Sequence, residues 1–241
     1  SSTTPPREQL MTKAVGFKPD VIHLHDWQAS LVAVYLRSIY AKDPFYKKTK
    51  IVLTVHNIGY QGLFPKEDFP KLGLDWNLFD IGGLEFYGQI NLLKGGLEFC
   101  DAVNTVSDTY AKEIQTEEFG FGLEGAVSER RGKLSGILNG LDYSIWDPKT
   151  DKFINKNYDL STIKDKAANK EGLQKSCGLP VDREIPLFGI VSRLARQKGF
   201  DILADGIDKI CRMGVQLVIL GTGEPEYHSI LQAVAARFAK A

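Results

Sequence analysis

Apolar residues along this chain fall into short runs, and each run is followed by a polar corner and a stretch with helical spacing. Runs rich in Val, Ile and Leu that alternate with helices are typical of a parallel sheet with helices on its faces. The predicted strands cover residues 21–25, 50–56, 102–106, 134–138, 187–191 and 215–220, and the predicted helices cover residues 30–40, 108–114, 162–177, 201–213 and 225–239. The pattern therefore predicts an α/β protein.

The pattern changes near residue 140, where a polar segment rich in turn residues begins with Asn139-Gly140 and continues through Asp147-Pro148. Such dipeptides favour turns, so the segment is interpreted as a hinge between two domains, residues 1–141 and residues 142–241. Only two strand–helix units follow the hinge, fewer than a doubly wound domain usually has. We therefore expect the second domain to be cut short.

Composition narrows the range of partners. The 241 residues include 30 Lys+Arg and 30 Asp+Glu, and 43% are hydrophobic. A nucleic-acid binder is expected to carry a basic surplus, and a spanning helix needs about 20 apolar residues in a row. The apolar runs here are no longer than strands, and the three Cys show no CxxC pair. We expect a soluble protein of a reducing compartment, with neither nucleic acid nor a membrane as partner.

A first group of candidate functional residues, HLHDW at 23–27, lies at the end of the first predicted strand. Alternation places His23 and His25 on one face and Leu24 on the other, and ligands bind at this carboxyl edge of open α/β sheets. With His56 on the next strand, the two histidines suggest a metal site. The alternative is that one histidine is a hydrogen-bonded core residue and only the residues at the edge contact a ligand. We favour the alternative, because the further ligands of a zinc hydrolase are not evident.

A second group, TVHNIGYQG at 54–62, leaves the second predicted strand. It combines imidazole, amide and aromatic side chains with two glycines, Gly59 and Gly62. Sugars bring many hydroxyl groups and an apolar ring face, so this set of side chains is typical of a sugar site. An ordinary loop after a strand is the alternative interpretation.

A third group, VSRLARQKG at 191–199, joins a predicted strand to a predicted helix. Backbone N–H groups at a helix N-terminus attract anions, and Arg193 and Lys198 would add two full charges that a diphosphate can span. The segment lacks the Walker pattern, so it is not a P-loop. A solvated basic corner is the alternative.

A fourth group, GTGEPE at 221–226, begins like a dinucleotide fingerprint but has Glu226 where the third glycine would stand. A lone G-x-G permits close approach of a nucleotide to the backbone and shows little more. This counts against an NAD-dependent dehydrogenase.

Six motifs in order, HDW, TVHNIGYQG, GLEFYGQINLLKGGL, AVNTVS, ILNGLD and VSRLARQKG, resemble those of bacterial glycogen synthases and the related starch synthases. The similarity runs from about Lys18 to the C-terminus. It implies a GT-B fold of the α/β class, with two Rossmann-like, doubly wound parallel-sheet domains, both incomplete in this chain. The first domain would be the acceptor side, and the second would be the nucleotide-sugar side.

The resemblance also implies an activity: transfer of glucose, with retention, from ADP-glucose to the non-reducing end of an α-1,4-glucan such as glycogen or starch. Neither a metal nor another cofactor is required. The expected location is the cytoplasm of a bacterium, or a plastid if the source is a plant. A transferase using a UDP- or GDP-sugar and a non-catalytic glucan-binding protein are the alternatives.

Roles for individual residues follow from the resemblance. Arg193 and Lys198 correspond to the pair that holds the distal phosphate of the donor. His56 corresponds to the histidine beside the transferred glucose, and Asp26 to an aspartate on the acceptor side that activity requires. The remaining expected contacts to substrate are Asn139, Tyr60, Gln61, Gly221 and Gly223.

Two family motifs have no counterpart in this sequence. A Lys-x-Gly-Gly-Leu loop is expected before the first strand, and nothing before Val21 resembles it. A Glu-x7-Glu segment is expected beyond residue 241. We therefore expect this chain to be an internal piece of the enzyme with little or no turnover of its own.

Overall fold

The computed structural model describes residues 12–239, and the chain divides into two compact units, Ser1–Gly140 (unit 1) and Leu141–Ala241 (unit 2). The strands of unit 1 are β1 (Val21–His25), β2 (Lys50–Val55), β3 (Leu63–Pro65), β4 (Glu85–Phe86), β5 (Gln89–Asn91), β6 (Ala102–Thr105) and β7 (Leu134–Gly136). Its helices are α1 (Asp26–Arg37), α2 (Leu92–Phe99), α3 (Asp108–Glu113), α4 (Glu117–Gly120) and α5 (Glu124–Glu129). Short 3-10 helices cover Lys66–Leu72, Trp76–Leu78 and Arg131–Lys133.

The main sheet of unit 1 has the strand order β1-β2-β6-β7, and all its pairings are parallel. Its core centres on β2, where Ile51, Leu53 and Val55 have no exposed surface. Apolar side chains buried on both sides of an inner strand are what a parallel sheet covered by helices requires. Because every strand runs the same way, the residues that follow β1, β2, β6 and β7 meet at one edge.

The segment between β2 and β6 carries structure that the hydrophobic pattern did not predict. β3, β5 and β4 form a small antiparallel sheet, and α2 packs against α1. This packing is close at Gly96, where an added Cβ would lie 2.5 Å from Oγ of Ser30. Glycine has a low helix propensity, so a helix that contains Gly95 and Gly96 is not predicted from the sequence.

Helix α1 also begins earlier than predicted, at Asp26 rather than at residue 30. The helix follows β1 without a connecting loop, and His25 is its N-cap residue. Asp26 adopts a left-handed backbone with φ of 55°. Aspartate tolerates this region better than most side chains, which allows so abrupt a change from strand to helix.

Unit 2 contains α6 (Lys166–Ser176), β8 (Leu187–Val191), α7 (Phe200–Arg212), β9 (Gln216–Leu220) and α8 (Pro225–Arg237). Its 3-10 helices cover Leu160–Asp165 and Arg196–Lys198. β8 and β9 form a parallel pair, and the predicted bounds of β8 are confirmed. The buried side chains of Phe200, Ile207, Tyr227 and Val234 hold α7 and α8 against this pair.

Within residues 12–239, none of the helices has the length and apolarity to cross a membrane.

Candidate functional site

The carboxylate of Asp26 connects the ends of β1 and β2. Its Oδ1 accepts a hydrogen bond of 2.8 Å from the backbone N–H of His56. The left-handed backbone of Asp26 turns its carboxylate toward the exit of the neighbouring strand, where His56 lies exposed. Backbone strain of this kind is a common feature of functional sites. The structure thus brings together Asp26 and His56, the two residues of unit 1 expected to take part in catalysis.

The histidines of the first group occupy one face of β1, as alternation predicted. His23 and His25 are exposed, whereas Leu24 is buried in the core. Nδ1 of His25 lies 3.0 Å from Nε2 of His56, within hydrogen-bond distance. The rings of His23 and His25 also contact each other, with centroids 4.4 Å apart. Three imidazoles therefore form a continuous row at the edge of the sheet.

A second hydrogen-bond chain lies next to this row. Nε2 of His23 is 2.6 Å from Oγ1 of Thr54, and Thr54 donates to Oδ1 of Asn104 at 2.5 Å. Burial lowers the pKa of His23 below its ordinary value, and the neighbouring His25 and His56 lower it further. The environment of His23 thus favours the neutral imidazole.

The histidines of the row are hydrogen-bonded, but the expectation of a core histidine is wrong, because His23, His25 and His56 are all exposed. Within the described part of the chain, no three His, Cys, Asp or Glu side chains are grouped as a metal site would need. The hydrogen bonds at this edge come from imidazole and carboxylate groups.

Tyr60 and Gln61, both expected at the substrate, are placed differently. Tyr60 is about half exposed, whereas Gln61 is buried. The Gln61 amide donates to the Phe121 carbonyl at 3.0 Å and accepts from Nδ2 of Asn91 at 2.7 Å. Gln61 therefore anchors the loop to the interior of unit 1, whereas Tyr60 is exposed on the same loop.

Two further contacts fix this loop. The backbone N–H of Ile58 donates to the Tyr110 hydroxyl at 3.1 Å. Gly62 has a φ of 66° and lies against the indole of Trp27, where an added Cβ would come 2.5 Å from a ring carbon. Trp27 thereby joins the first group of residues to the second. Tyr110 lies on α3, and no local sequence motif predicts its part in this site.

Asn139 lies at the same edge of the sheet. It is exposed and follows β7, whose pairing with β6 extends one residue further through a 2.7 Å hydrogen bond from Ile137 N to the Thr105 carbonyl. Parallel strands place their following residues on one side, so the edge carries Asn139 as well as Asp26 and His56.

In unit 2, the basic segment lies between β8 and α7, as predicted. Lys198 ends a 3-10 turn, and Gly199, with a φ of 77°, is the N-cap of α7. Arg193 and Lys198 are exposed. This arrangement presents positive charge beside the N-terminus of a 13-residue helix, whose dipole has the same sign.

The third cation of the segment, Arg196, has local partners. Its Nε lies 3.4 Å from Oδ2 of Asp201, and its backbone N–H donates to Oε1 of Glu224 at 3.2 Å. Within the residues that the structure describes, no carboxylate forms an ion pair with Lys198. The charge of Lys198 is therefore less compensated than that of Arg196.

Gly221 and Gly223 permit a close approach between two loops of unit 2. A Cβ at Gly221 would lie 1.9 Å from the Ser192 carbonyl oxygen, and one at Gly223 would lie 2.1 Å from that of Leu194. Leu194 and Gly223 form a parallel bridge that continues the β8–β9 pairing. These glycines therefore have a structural reason to be glycine, independent of a nucleotide.

Comparisons with known proteins agree with these features. The family model of the starch synthase catalytic domain matches residues 8–129. The glycogen synthase of Geotalea uraniireducens is 49% identical over 227 residues, covering 94% of this chain and 47% of its own length. That of Thermotoga maritima is 46% identical over 228 residues, covering 95% and 47%. The chain thus spans about half the length of the curated relatives it matches.

A solved structure of a starch synthase is also similar to this chain. The catalytic domain of starch synthase IV from Arabidopsis thaliana, bound to ADP and acarbose, matches with a TM-score of 0.88 and 32% identity. The match covers 97% of this chain and 48% of that one. It confirms the predicted fold class, α/β of the GT-B type with Rossmann-like parallel sheets. The chain belongs to the family of starch synthase catalytic domains.

Proposed function

We propose that this chain is part of a retaining glucosyltransferase that moves glucose from ADP-glucose to the non-reducing end of an α-1,4-glucan. The observation that carries the proposal is the position of Lys198, exposed and directly before α7 in a family member. A diphosphate is bound well where positive charge lies beside the N-terminus of a helix, and Lys198 together with the first turn of α7 offers both.

In the donor half, Arg193 and Lys198 bind the distal phosphate. Negative charge grows on this phosphate as the bond to glucose breaks, and fixed cations stabilise it more in the transition state than before. Gly221 and Gly223 line the nucleotide side, where they keep the second loop close to the first. The cations supply the charge that a metal would otherwise bring, so we propose no metal and no other cofactor.

In the acceptor half, His56 is placed beside the transferred glucose. Asp26 holds the backbone of His56 through the 2.8 Å hydrogen bond, which fixes the position of this residue at the end of β2. Asn139 and the exposed Tyr60 add an amide and an aromatic ring, the groups that sugar hydroxyls and sugar ring faces bind. Gln61 acts through the loop that it supports.

Calorimetric titration of the chain with ADP tests the donor half. Lys198→Ala should weaken ADP binding roughly 10- to 100-fold, because a hydrogen bond to a charged group contributes about 1.5–3 kcal/mol. Arg196→Ala is the matched control. It removes the same charge from the same loop, but from a side chain already paired with Asp201, and should change affinity less than about threefold.

Two other results would contradict the proposal. Equal losses in the two variants would mean that only net charge matters, as for a solvated basic corner. Equal affinity of the wild-type chain for ADP and UDP would remove the assignment of an adenosine donor. A titration with maltoheptaose separates a glucan-binding protein from a transferase, because Lys198→Ala should leave glucan binding unchanged while it weakens ADP binding.

A further inference from the structure

His25 contacts both of its histidine neighbours. Its ring centroid is 4.4 Å from that of His23 and 5.3 Å from that of His56. The contact with His56 joins two nitrogens, Nδ1 of His25 and Nε2 of His56, at 3.0 Å. A separation of this size between two imidazole nitrogens is a hydrogen bond, in which one ring donates and the other accepts.

This bond restricts what His56 can offer to a ligand. A neutral imidazole has one N–H and one lone pair, and the partner of one nitrogen decides the role of the other. Because Nε2 of His56 is bound to His25, Nδ1 is the ring nitrogen left for a ligand. The tautomer of His56 is thus coupled to that of His25.

His23 is tied to other partners. Thr54 donates its single hydroxyl hydrogen to Asn104, so it accepts from His23, whose Nε2 must carry the proton. His23 therefore contributes a tilted ring next to His25, and its own hydrogen bond goes to Thr54 rather than to His56.

The backbone and the ring of His56 are consequently held by two consecutive residues. Asp26 binds its N–H, and His25 binds its imidazole. We propose that His25 is a positioning residue that fixes the ring orientation and tautomer of His56, so that Nδ1 faces the sugar hydroxyl to be bound. The ligand class rests on the proposed function, whereas the His25–His56 bond does not.

Nitrogen NMR of the 241-residue chain, with 15N-labelled histidine rings, tests the proposal without any ligand. We expect the wild-type chain to show a scalar coupling across the hydrogen bond between Nδ1 of His25 and Nε2 of His56. The spectra are recorded about two pH units above the ordinary imidazole pKa of ~6.5. We also expect His56 to populate one dominant tautomer.

Matched substitutions separate the hydrogen bond from packing. His25→Phe keeps a ring but removes the nitrogen, and should move the His56 ring nitrogens to the averaged shifts of free histidine. His23→Phe makes the same change two residues away on the same face of β1. It should leave the shifts of the His56 ring nitrogens unchanged. His228 of unit 2 is an internal reference, because its Nε2 accepts from Gly223 N at 3.2 Å.

The proposal is overturned if the wild-type coupling is absent and His56 shows averaged shifts, a result that does not require any variant to fold. It is also overturned if His25→Phe and His23→Phe change the His56 nitrogens equally. Neither result depends on whether ADP binds, so a failure of this inference is distinguishable from a failure of the proposed transferase.

Discussion

The two units use the same element, a parallel strand followed by a loop and a helix, but they support it differently. In unit 1, β2 lies between β1 and β6, and its apolar side chains at 51, 53 and 55 are fully buried. In unit 2, β8 pairs only with β9 within the described residues, and Phe188 and Val191 are 55% and 81% exposed. The strand of unit 2 thus gains less from burial, and α7 and α8 supply most of its core.

The candidate residues differ in the same way. Those of unit 1 are fixed by side chains, through the bonds from Asp26 and His25 to His56. The basic loop of unit 2 is fixed by backbone groups. The N–H of Leu194 donates to the Thr222 carbonyl at 2.9 Å, and the N–H of Glu224 donates to the Leu194 carbonyl at 2.8 Å. The comparison teaches that unit 1 depends on its core and its side-chain network, and unit 2 on a backbone bridge.

The largest expected effect compares the two cores. Leu53→Ala in β2 should lower the free energy of unfolding of unit 1 by about 2–5 kcal/mol, because it leaves a cavity in a fully buried site. Leu217→Ala in β9 makes the same change at a partly buried position and should cost less than half as much. Urea titration followed by hydrogen exchange of peptides from each unit measures both. Equal losses would contradict the difference in burial.

A smaller effect concerns two buried amide pairs, one in each unit. Gln61 pairs with Asn91 in unit 1, and Gln216 pairs with Gln174 in unit 2, both at 2.7 Å. Replacing Gln61 or Gln216 by Leu leaves buried polar partners unsatisfied and should cost about 1–3 kcal/mol.

Each of these substitutions should lower the stability of its own unit only, as resolved by the same hydrogen-exchange measurement. The exposed Gln28, on α1, is the control, and its change to Leu should stay within about 0.5 kcal/mol. A loss in unit 1 caused by Gln216→Leu would show that the units do not unfold separately.

The smallest expected effect is a dependence on pH that belongs to unit 1. The pKa of His23 in the folded chain is below its ordinary value of 6.5, so the unfolded chain binds more protons as the pH falls through 6.5. The stability of unit 1 should therefore decrease over that interval. His23→Phe should flatten this slope in urea titrations across the pH range. An unchanged slope would contradict the assigned pKa direction.

Strands were the part of the fold that the sequence predicted best. Val, Ile and Leu runs mark buried parallel strands directly, and the bounds of β1 and β8 are confirmed. The small sheet and α2 were missed for physical reasons. Strands β3, β4 and β5 are two or three residues long, too short to show alternation, and tertiary packing at Gly95 and Gly96 outweighs their low helix propensity.

The candidate site shows a similar division. Its groups of residues could be placed at strand ends from sequence, because that edge follows from the order of strand and helix. The contact of His25 with His56 could not, since it depends on a register that sets His25 opposite Thr54. The burial of Gln61 could not be predicted from the sequence either, because its partners Asn91 and Phe121 come from distant parts of the chain.

The bridge between Leu194 and Gly223 has a consequence for engineering. Backbone groups hold the path of this loop, so the side chains of Ala195 and Thr222, which lie along it, are not needed to maintain it. A combinatorial library at these two positions should keep the folded loop in most of its members. Selection from such a library could then change the surface chemistry of the loop without first having to restore the scaffold.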